Sequence, residues 1–415
     1  MTYRIGMLAD THLGYAARCR SHQLSGLNMR VRDGFLGLRE TVDQMIAADV
    51  DSVIHGGDLF HRSHPAVSEI QWANAQLRRL ADAEIPVYGV TGNHDFANDR
   101  GKSPATAAVN DPERGINMVI EPYQIFRPIE GLNIHAISHV GLIGSERIIP
   151  EPIDGEVNIL TSHGACQVPG HEIFATVDSP GEAVLGYDVL TKPWSCTLLG
   201  HYHGMGALPG FDSGDSGQAW YAGSLLRRGF SDPEGGRGWL LITVHDDGKI
   251  TVEPQYIRQR PQFDLPWIDA AGMTGAQVDE LIRENLSSIE IGEAIIRQRV
   301  VNCPLPVRRG IDTNSLAELA KHALVWQPEF TRPMDLDYAE STEADAAVGS
   351  LSTAGSADLP TMFTGWFSDY AERSEISKEI RPRVIESGTK LLRQVSKETE
   401  TGTSEAAQEA AKETN

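Results

Sequence analysis

Cysteine is scarce in this chain of 415 residues: Cys19, Cys166, Cys196 and Cys303 stand far apart and form no C-x-x-C pair. That excludes a disulfide framework and a thiolate zinc knot, and it fits a reducing cytoplasm. No apolar run reaches the roughly 18 residues of a membrane span. The N-terminus lacks a basic segment followed by an apolar core, so no secretion signal is expected. Lysine is also rare, 8 against 28 arginines, and the net charge is −21. The acid is not confined to a tail, since residues 339–415 hold 14 acids and 8 bases. Such a chain repels nucleic acid in general, so a nucleic-acid substrate needs local arginines, cations or a partner.

What is present is a strand–helix alternation with chemistry at the strand ends. Tyr3 to Leu8 reads as a strand ending in Asp10-Thr11-His12. Residues 14–32 read as a loop with Arg18, Arg20, Arg30 and Arg32, either solvated or touching an anionic substrate. Phe35, Leu38, Val42 and Met45 have helical spacing. Ser52-Val53-Ile54 is a second strand, opening through two glycines into Asp58 and His61. Pro65 suits a helix start, and Val87–Val90 is a third strand before Gly92-Asn93-His94-Asp95. After residue 116 strands dominate, and His163, His201 and His203 follow apolar runs. The expected fold is α/β, with two packed mixed β-sheets flanked by helices.

A boundary falls near Arg258-Gln259-Arg260-Pro261. The expected division is a main domain over 1–258 and a small α/β unit over 259–337. A polar linker over 338–357, a helical arm over 358–397 and a disordered acidic tail over 398–415 would follow. In the arm, Phe363, Trp366, Phe367 and Tyr370 share one helical face, and Leu391 and Leu392 lie on a second helix beyond Pro382. Such a stripe either packs on its own core or meets a partner; beyond a linker it has little of its own domain to cover.

Asp10, His12, Asp58, Asn93, His163, His201 and His203 are donors enough for two metal ions if one carboxylate is shared, and Asp58 is the natural bridge. Imidazole with carboxylate and amide oxygen suits manganese, iron or zinc. Two such ions clamp the oxygens of a phosphate ester. His94, next to Asn93, would point into the site without ligating. Each piece alone is weak, because a lone D-x-H or G-x-H is usually structural. Their number and order give the signal.

D-x-H, G-D, G-N-H-[DE], H and G-H-x-H in this order resemble the calcineurin-like metallophosphoesterases over about residues 1–245. The resemblance implies that Asp10, His12, Asp58 and His203 hold one metal, that Asp58, Asn93, His163 and His201 hold the other, and that His94 is the catalytic histidine. The protein phosphatases of that superfamily carry G-D-x-x-D-R-G, whose second Asp pairs with the catalytic histidine; here His61 and Ser63 stand in its place. Gly57-Asp58-Leu59-Phe60-His61, and Tyr221-Ala222-Gly223-Ser224-Leu225 followed by Arg227, Arg228 and Phe230, are similar to the nuclease subunit of the double-strand-break repair complex, the SbcD type.

That likeness implies a homodimeric, manganese-dependent DNA nuclease with two metal ions. It would have 3′-to-5′ exonuclease and single-strand endonuclease activities. His61 would help orient DNA, and 259–337 would be a DNA-capping domain. The arm would dock on an SMC-like coiled-coil ABC ATPase of the SbcC type, in the nucleoid-associated cytoplasm. Arg18, Arg20, Arg30, Arg32, Arg227 and Arg228 are the candidate DNA contacts, and a local hydrogen bond is the plain alternative for His61. A small-molecule phosphodiesterase or phosphatase and a non-catalytic scaffold are the competing readings. His55, His64, His135, His139 and His171 are expected to be structural.

Overall fold

The computed structural model describes residues 2–17, 19–96, 103–144, 148–166, 168, 184–211, 217–333, 381–385, 387 and 389. The chain divides into two compact units, Met1–Arg332 and Pro333–Asn415. In the second, residues 381–385, 387 and 389 are helical. Phe363, Trp366, Phe367, Tyr370, Leu391 and Leu392 lie outside the described residues, as do Arg18 and His171.

Two six-stranded mixed sheets form the body of the first unit. The first runs Ile250–Tyr256, Gly238–Val244, Tyr3–Leu8, Ser52–His55, Val87–Val90, Ile116–Val119. Its last four strands are parallel, and Gly238–Val244 joins Tyr3–Leu8 antiparallel. The second runs Gly206–Ala207, Gln218–Tyr221, Cys196–Gly200, Val157–His163, Leu132–Ile137, Tyr123–Ile129.

Strand alternation decides which residues fill the gap between the sheets. Ile5 and Met7 face the second sheet and meet Ile54, Ile159, Leu198 and Leu240, all buried. Leu8 faces the other way, toward the helices. The outer face of the first sheet is covered by helices Met29–Ala47 and Val67–Asp82, where Trp72 stacks on Phe35 at 5.1 Å. Burying side chains of this size contributes about 1.5–3 kcal/mol each. The loop expected over 14–32 ends at residue 28, because Asn28 caps the first helix by accepting the Arg30 amide at 2.9 Å.

Residues 262–330 add a four-stranded parallel sheet centred on Ile295–Val301. Helix Gly275–Ser287 lays Val278, Ile282 and Leu286 on it. Thr274 and Gln277 close a capping box at its start, and Asp312 caps helix Thr313–Leu319 by accepting the Ser315 amide. Val325–Phe330 and the short helix Leu305–Arg309 carry no clear periodic signal and were not expected. This sheet is tied to the body by a buried cluster of Met29, Ile295 and Leu324. A bidentate pair joins Arg260 to Asp33, both bonds 2.7 Å. Among the described residues no helix is long and apolar enough to cross a membrane.

Candidate metal centre

The motif residues follow the carboxyl ends of parallel strands in both sheets, where α/β sheets open a crevice. Tyr3–Leu8, Ser52–His55 and Val87–Val90 lead to Asp10, Asp58 and Asn93; Val157–His163 and Cys196–Gly200 lead to His163 and His201. The loops lace together: Asp10 N–H donates to the Gly57 carbonyl at 3.0 Å, and His12 N–H to the Asp58 carbonyl at 2.9 Å. The backbone is strained where the side chains converge. Asp10, His12, Asp58 and His201 have φ of 48°, 44°, 55° and 101°, the left-handed region that such residues seldom adopt. Gly92 lets the turns close, since a Cβ there would sit 2.1 Å from Asp58 Oδ1.

Two groups of donors result, with Asp58 between them. In one, His12 Nε2 and His203 Nε2 lie 3.3 Å apart, and Asp10 Oδ1 lies 3.8 Å and 3.9 Å from them. In the other, Asn93 Oδ1 is 3.0 Å from His163 Nε2 and 3.3 Å from His201 Nδ1. Asp58 Oδ2 is 3.4 Å from His163 Nε2 and 3.6 Å from His12 Nε2. Asp10 Oδ1 is buried and has no hydrogen-bond partner. An orphaned carboxylate oxygen facing two imidazole nitrogens is costly unless a cation satisfies it. The donors present therefore fit divalent cations, as do Asp10, His12 and His203, and Asp10, Asp58 and His163, by their mutual distances.

Other groups fix the ring orientations. His163 Nδ1–H donates to the Gly56 carbonyl at 2.7 Å, and His203 Nδ1–H to Asp232 Oδ1 at 3.0 Å; both leave Nε2 to face the centre. Asp95 accepts the amides of Phe60, Gly92 and Leu59 at 2.8, 3.1 and 3.2 Å, pinning the Gly92–Asp95 turn to the Asp58 turn. His94 N–H donates to Asp58 Oδ1 at 2.9 Å, and its Nδ1–H to the His61 carbonyl at 2.8 Å. Its Nε2 then sits 4.0 Å from Asp58 Oδ2, with the ring about one-third exposed. The His61 ring stacks on His94 at 5.3 Å and 18°, and Tyr15 meets His61 edge-on.

Charge follows this geometry. Burial opposes ionisation of Asp58, but His163, His12 and His94 hold its carboxyl well below the usual range. Burial opposes protonation of His163, yet Asp58 beside it raises the imidazole to about 9. Burial pushes His12 well below its ordinary value and His55 down to about 3. Burial, then the Asp58 charge, lifts Asp95 to about 7 against the pull of its amide donors. Burial, then His94 and Arg228, lowers His61 to about 4.

His55, His135 and His64 serve local bonds. His55 Nδ1 accepts the Gly57 amide and its Nε2–H reaches Thr11 Oγ1 at 2.8 Å. His135 bridges Tyr123 and Asn158, and His64 contacts Ser63. His139 is half-buried, its ring 6.1 Å from that of Phe96.

The arginines divide. Arg30 is 2% exposed and bonds Asp33 and the Arg227 carbonyl, so it is not presented to a surface ligand. Arg20 pairs with Glu293 on the third sheet's unit. Arg32 is half-buried on the same helix as Arg30. Arg227 lies 3.7 Å from Glu234 and 5.8 Å over the Phe230 ring. Arg228 reaches the centre itself, its guanidinium 2.8 Å from His203 Nε2. Asp232 and Asp95 had no assigned role in the sequence reading. Asp95 is the last residue of the G-N-H-[DE] motif, whereas Asp232 carries no signal of its own.

Residues 3–203 match the family model described as calcineurin-like phosphoesterase. A DNA double-strand break repair protein Mre11 of Haloferax volcanii is 25% identical over 304 residues, covering 71% of this chain and 60% of that one. The Mre11 protein of Methanococcus maripaludis is 37% identical over 95 residues, 23% of this chain and 24% of that one. Among solved structures, purple acid phosphatase PPD1 of yellow lupin seeds overlaps at a TM-score of 0.41 with 12% identity, over 62% of this chain and 52% of that one. The chain thus spans about 60% of the length of the Haloferax relative. Asp10, Asp58, Asn93, His163 and His201, which converge from the two sheets, all lie within residues 3–203, the stretch that is similar to the calcineurin-like phosphoesterases.

Proposed function

We propose that this protein is a metal-dependent DNA nuclease that hydrolyses phosphodiester bonds. The observation that carries it is the position of Asp58, one carboxylate between two donor groups, with His94 held beside it. Divalent cations bound there, manganese by the likeness described above, would supply a nucleophile at neutral pH and clamp the phosphate oxygens. Asp10, His12, Asp58 and His203 would hold one and Asp58, Asn93, His163 and His201 the other.

The chain's own contribution is orientation and proton control. The His61 carbonyl fixes His94 Nδ1 as the protonated nitrogen, so Nε2 faces the centre. When the ring is protonated at Nε2 as well, as imidazolium, Nε2–H donates a hydrogen bond to a phosphoryl oxygen or a proton to the leaving oxygen. His163 and His203 are held in the tautomer that ligates through Nε2.

DNA as the substrate is supported by the relatives, which are named for double-strand break repair, and by the third sheet, which the phosphoesterase match does not include. The fuller reading is a homodimeric subunit with 3′-to-5′ exonuclease and single-strand endonuclease activities. Residues 259–337 cap the DNA, and 358–397 dock on an SMC-like coiled-coil ATPase of the SbcC type, in the nucleoid-associated cytoplasm. The intact donor set speaks against a non-catalytic scaffold, and the added unit against a small-molecule phosphatase. The test is incubation of end-labelled DNA with manganese and wild-type protein beside His94→Ala. Shortened strands with wild type only are expected. DNA left intact by wild type, alone and with its ATPase, would overturn the proposal.

A further inference from the structure

The third sheet's unit carries an aromatic and arginine path that starts at the metal centre. Trp267 is 60% exposed, unlike Trp194 and Trp239, which are 3% and 1% exposed. The Arg299 guanidinium lies 3.9 Å from the Trp267 ring centroid. It is held there by Asp264 Oδ2 at 2.8 Å, which also takes Arg297 in a bidentate pair of 3.0 and 2.7 Å. Arg297 in turn lies 4.4 Å over the ring of Phe230, and Arg227 approaches the same ring. Arg228, the next residue, contacts His203. The contacts run unbroken from a donor of the metal centre to an exposed indole. Beside them a cleft of about 410 Å³ is lined by Arg227, Glu234, Asp264 and Pro266.

We propose that Trp267, backed by Arg299, is a stacking platform for an unpaired nucleobase of the DNA strand that reaches the metal centre. The inference rests on the nuclease reading above. A guanidinium against the indole leaves the rest of the ring surface open and adds cation–π attraction. An apolar plane beside cations matches a base with its phosphate: the ring takes the base and the guanidinium the charge. The path sets the guanidinia of Arg227, Arg228, Arg237, Arg297 and Arg299 against the carboxylates of Asp232, Glu234, Asp264 and Glu329, a local excess of one positive charge in a chain of net charge −21. That sign favours a polyanion over an apolar protein surface.

The test uses the full-length chain. In a His94→Ala background, fluorescence anisotropy with manganese compares a fluorescein-labelled oligothymidylate with an abasic strand of equal length. Adding Trp267→Ala weakens the oligothymidylate about tenfold and leaves the abasic strand unchanged, and Trp267→Phe restores most of the loss. With His94 intact, Trp267→Ala hydrolyses bis(4-nitrophenyl) phosphate at the wild-type rate. Equal oligothymidylate affinity with and without Trp267, or an equal loss on the abasic strand, overturns the platform while leaving the nuclease reading in place. Wild type that hydrolyses the small diester but neither binds nor cuts DNA overturns both.

Discussion

The imidazole of His94 is oriented by the main chain of His61: Nδ1 donates to the His61 carbonyl at 2.8 Å, while the His61 ring stacks above it. The two residues should therefore differ in how much activity their removal costs. His94→Ala should lower hydrolysis of bis(4-nitrophenyl) phosphate by about 10²–10⁴-fold at unchanged manganese content. His61→Ala keeps the carbonyl, so the same assay should fall by less than about tenfold. A His61→Ala loss as deep as that of His94→Ala would place chemistry on the His61 ring.

Asp232 holds the His203 ring from behind. Asp232→Asn should weaken manganese affinity by about 10–100-fold, read by calorimetric titration. Unchanged affinity would mean that His203 does not depend on this bond.

Gly92 has no room for a side chain, because a Cβ would lie 2.4 Å from the Asp58 backbone nitrogen as well as against its carboxylate. Gly92→Ala should cost about 1–3 kcal/mol in urea denaturation and reduce bound metal. Wild-type stability and metal content together would contradict the packing described.

Asp33 neutralises Arg30 and Arg260 where both are nearly buried. Asp33→Ala should cost about 3–5 kcal/mol, because it strands buried charge. The exposed pair of Asp43 and Arg79 is the control, and Asp43→Ala should cost less than about 1 kcal/mol. Equal costs would reject the difference in burial as the cause.

His55 is buried and kept neutral, its pKa lowered to about 3. The unfolded chain binds that proton from about pH 6.5 downward, and the folded chain only near pH 3. The stability of the neutral form is thus full above about pH 6.5 and is lost as pH falls toward 3. The urea midpoint should drop more between pH 7 and pH 5 in wild type than in His55→Gln. Identical drops would mean that another group sets this acid sensitivity.

The convergence of Asp10, His12, Asp58, Asn93, His163 and the His201–His203 pair was legible because each follows an apolar run and a turn, and a strand end has one direction to open. Helix Gly275–Ser287 carries its own local signal in the Thr274 cap and in the spacing of Val278, Ile282 and Leu286. Partners set by distant chain returns were not. Arg260 finds Asp33, Arg20 finds Glu293, and Asp232 finds His203, none through local periodicity. For the same reason the place of Gly238–Val244 beside Tyr3–Leu8 in the first sheet did not follow from its residues. Arg30 looked like a loop cation because nothing nearby announces that Asn28 starts a helix and turns it inward.

The central claim is that Asp58 joins two cations into one phosphodiester-cleaving centre. Metal stoichiometry and DNA cleavage, measured on the same samples of wild type and Asp58→Ala, test it most directly. The account predicts two manganese ions per wild-type chain with cleavage of DNA, and fewer than two with no cleavage in Asp58→Ala. Two ions retained by Asp58→Ala, or cleavage that persists without Asp58, would contradict it.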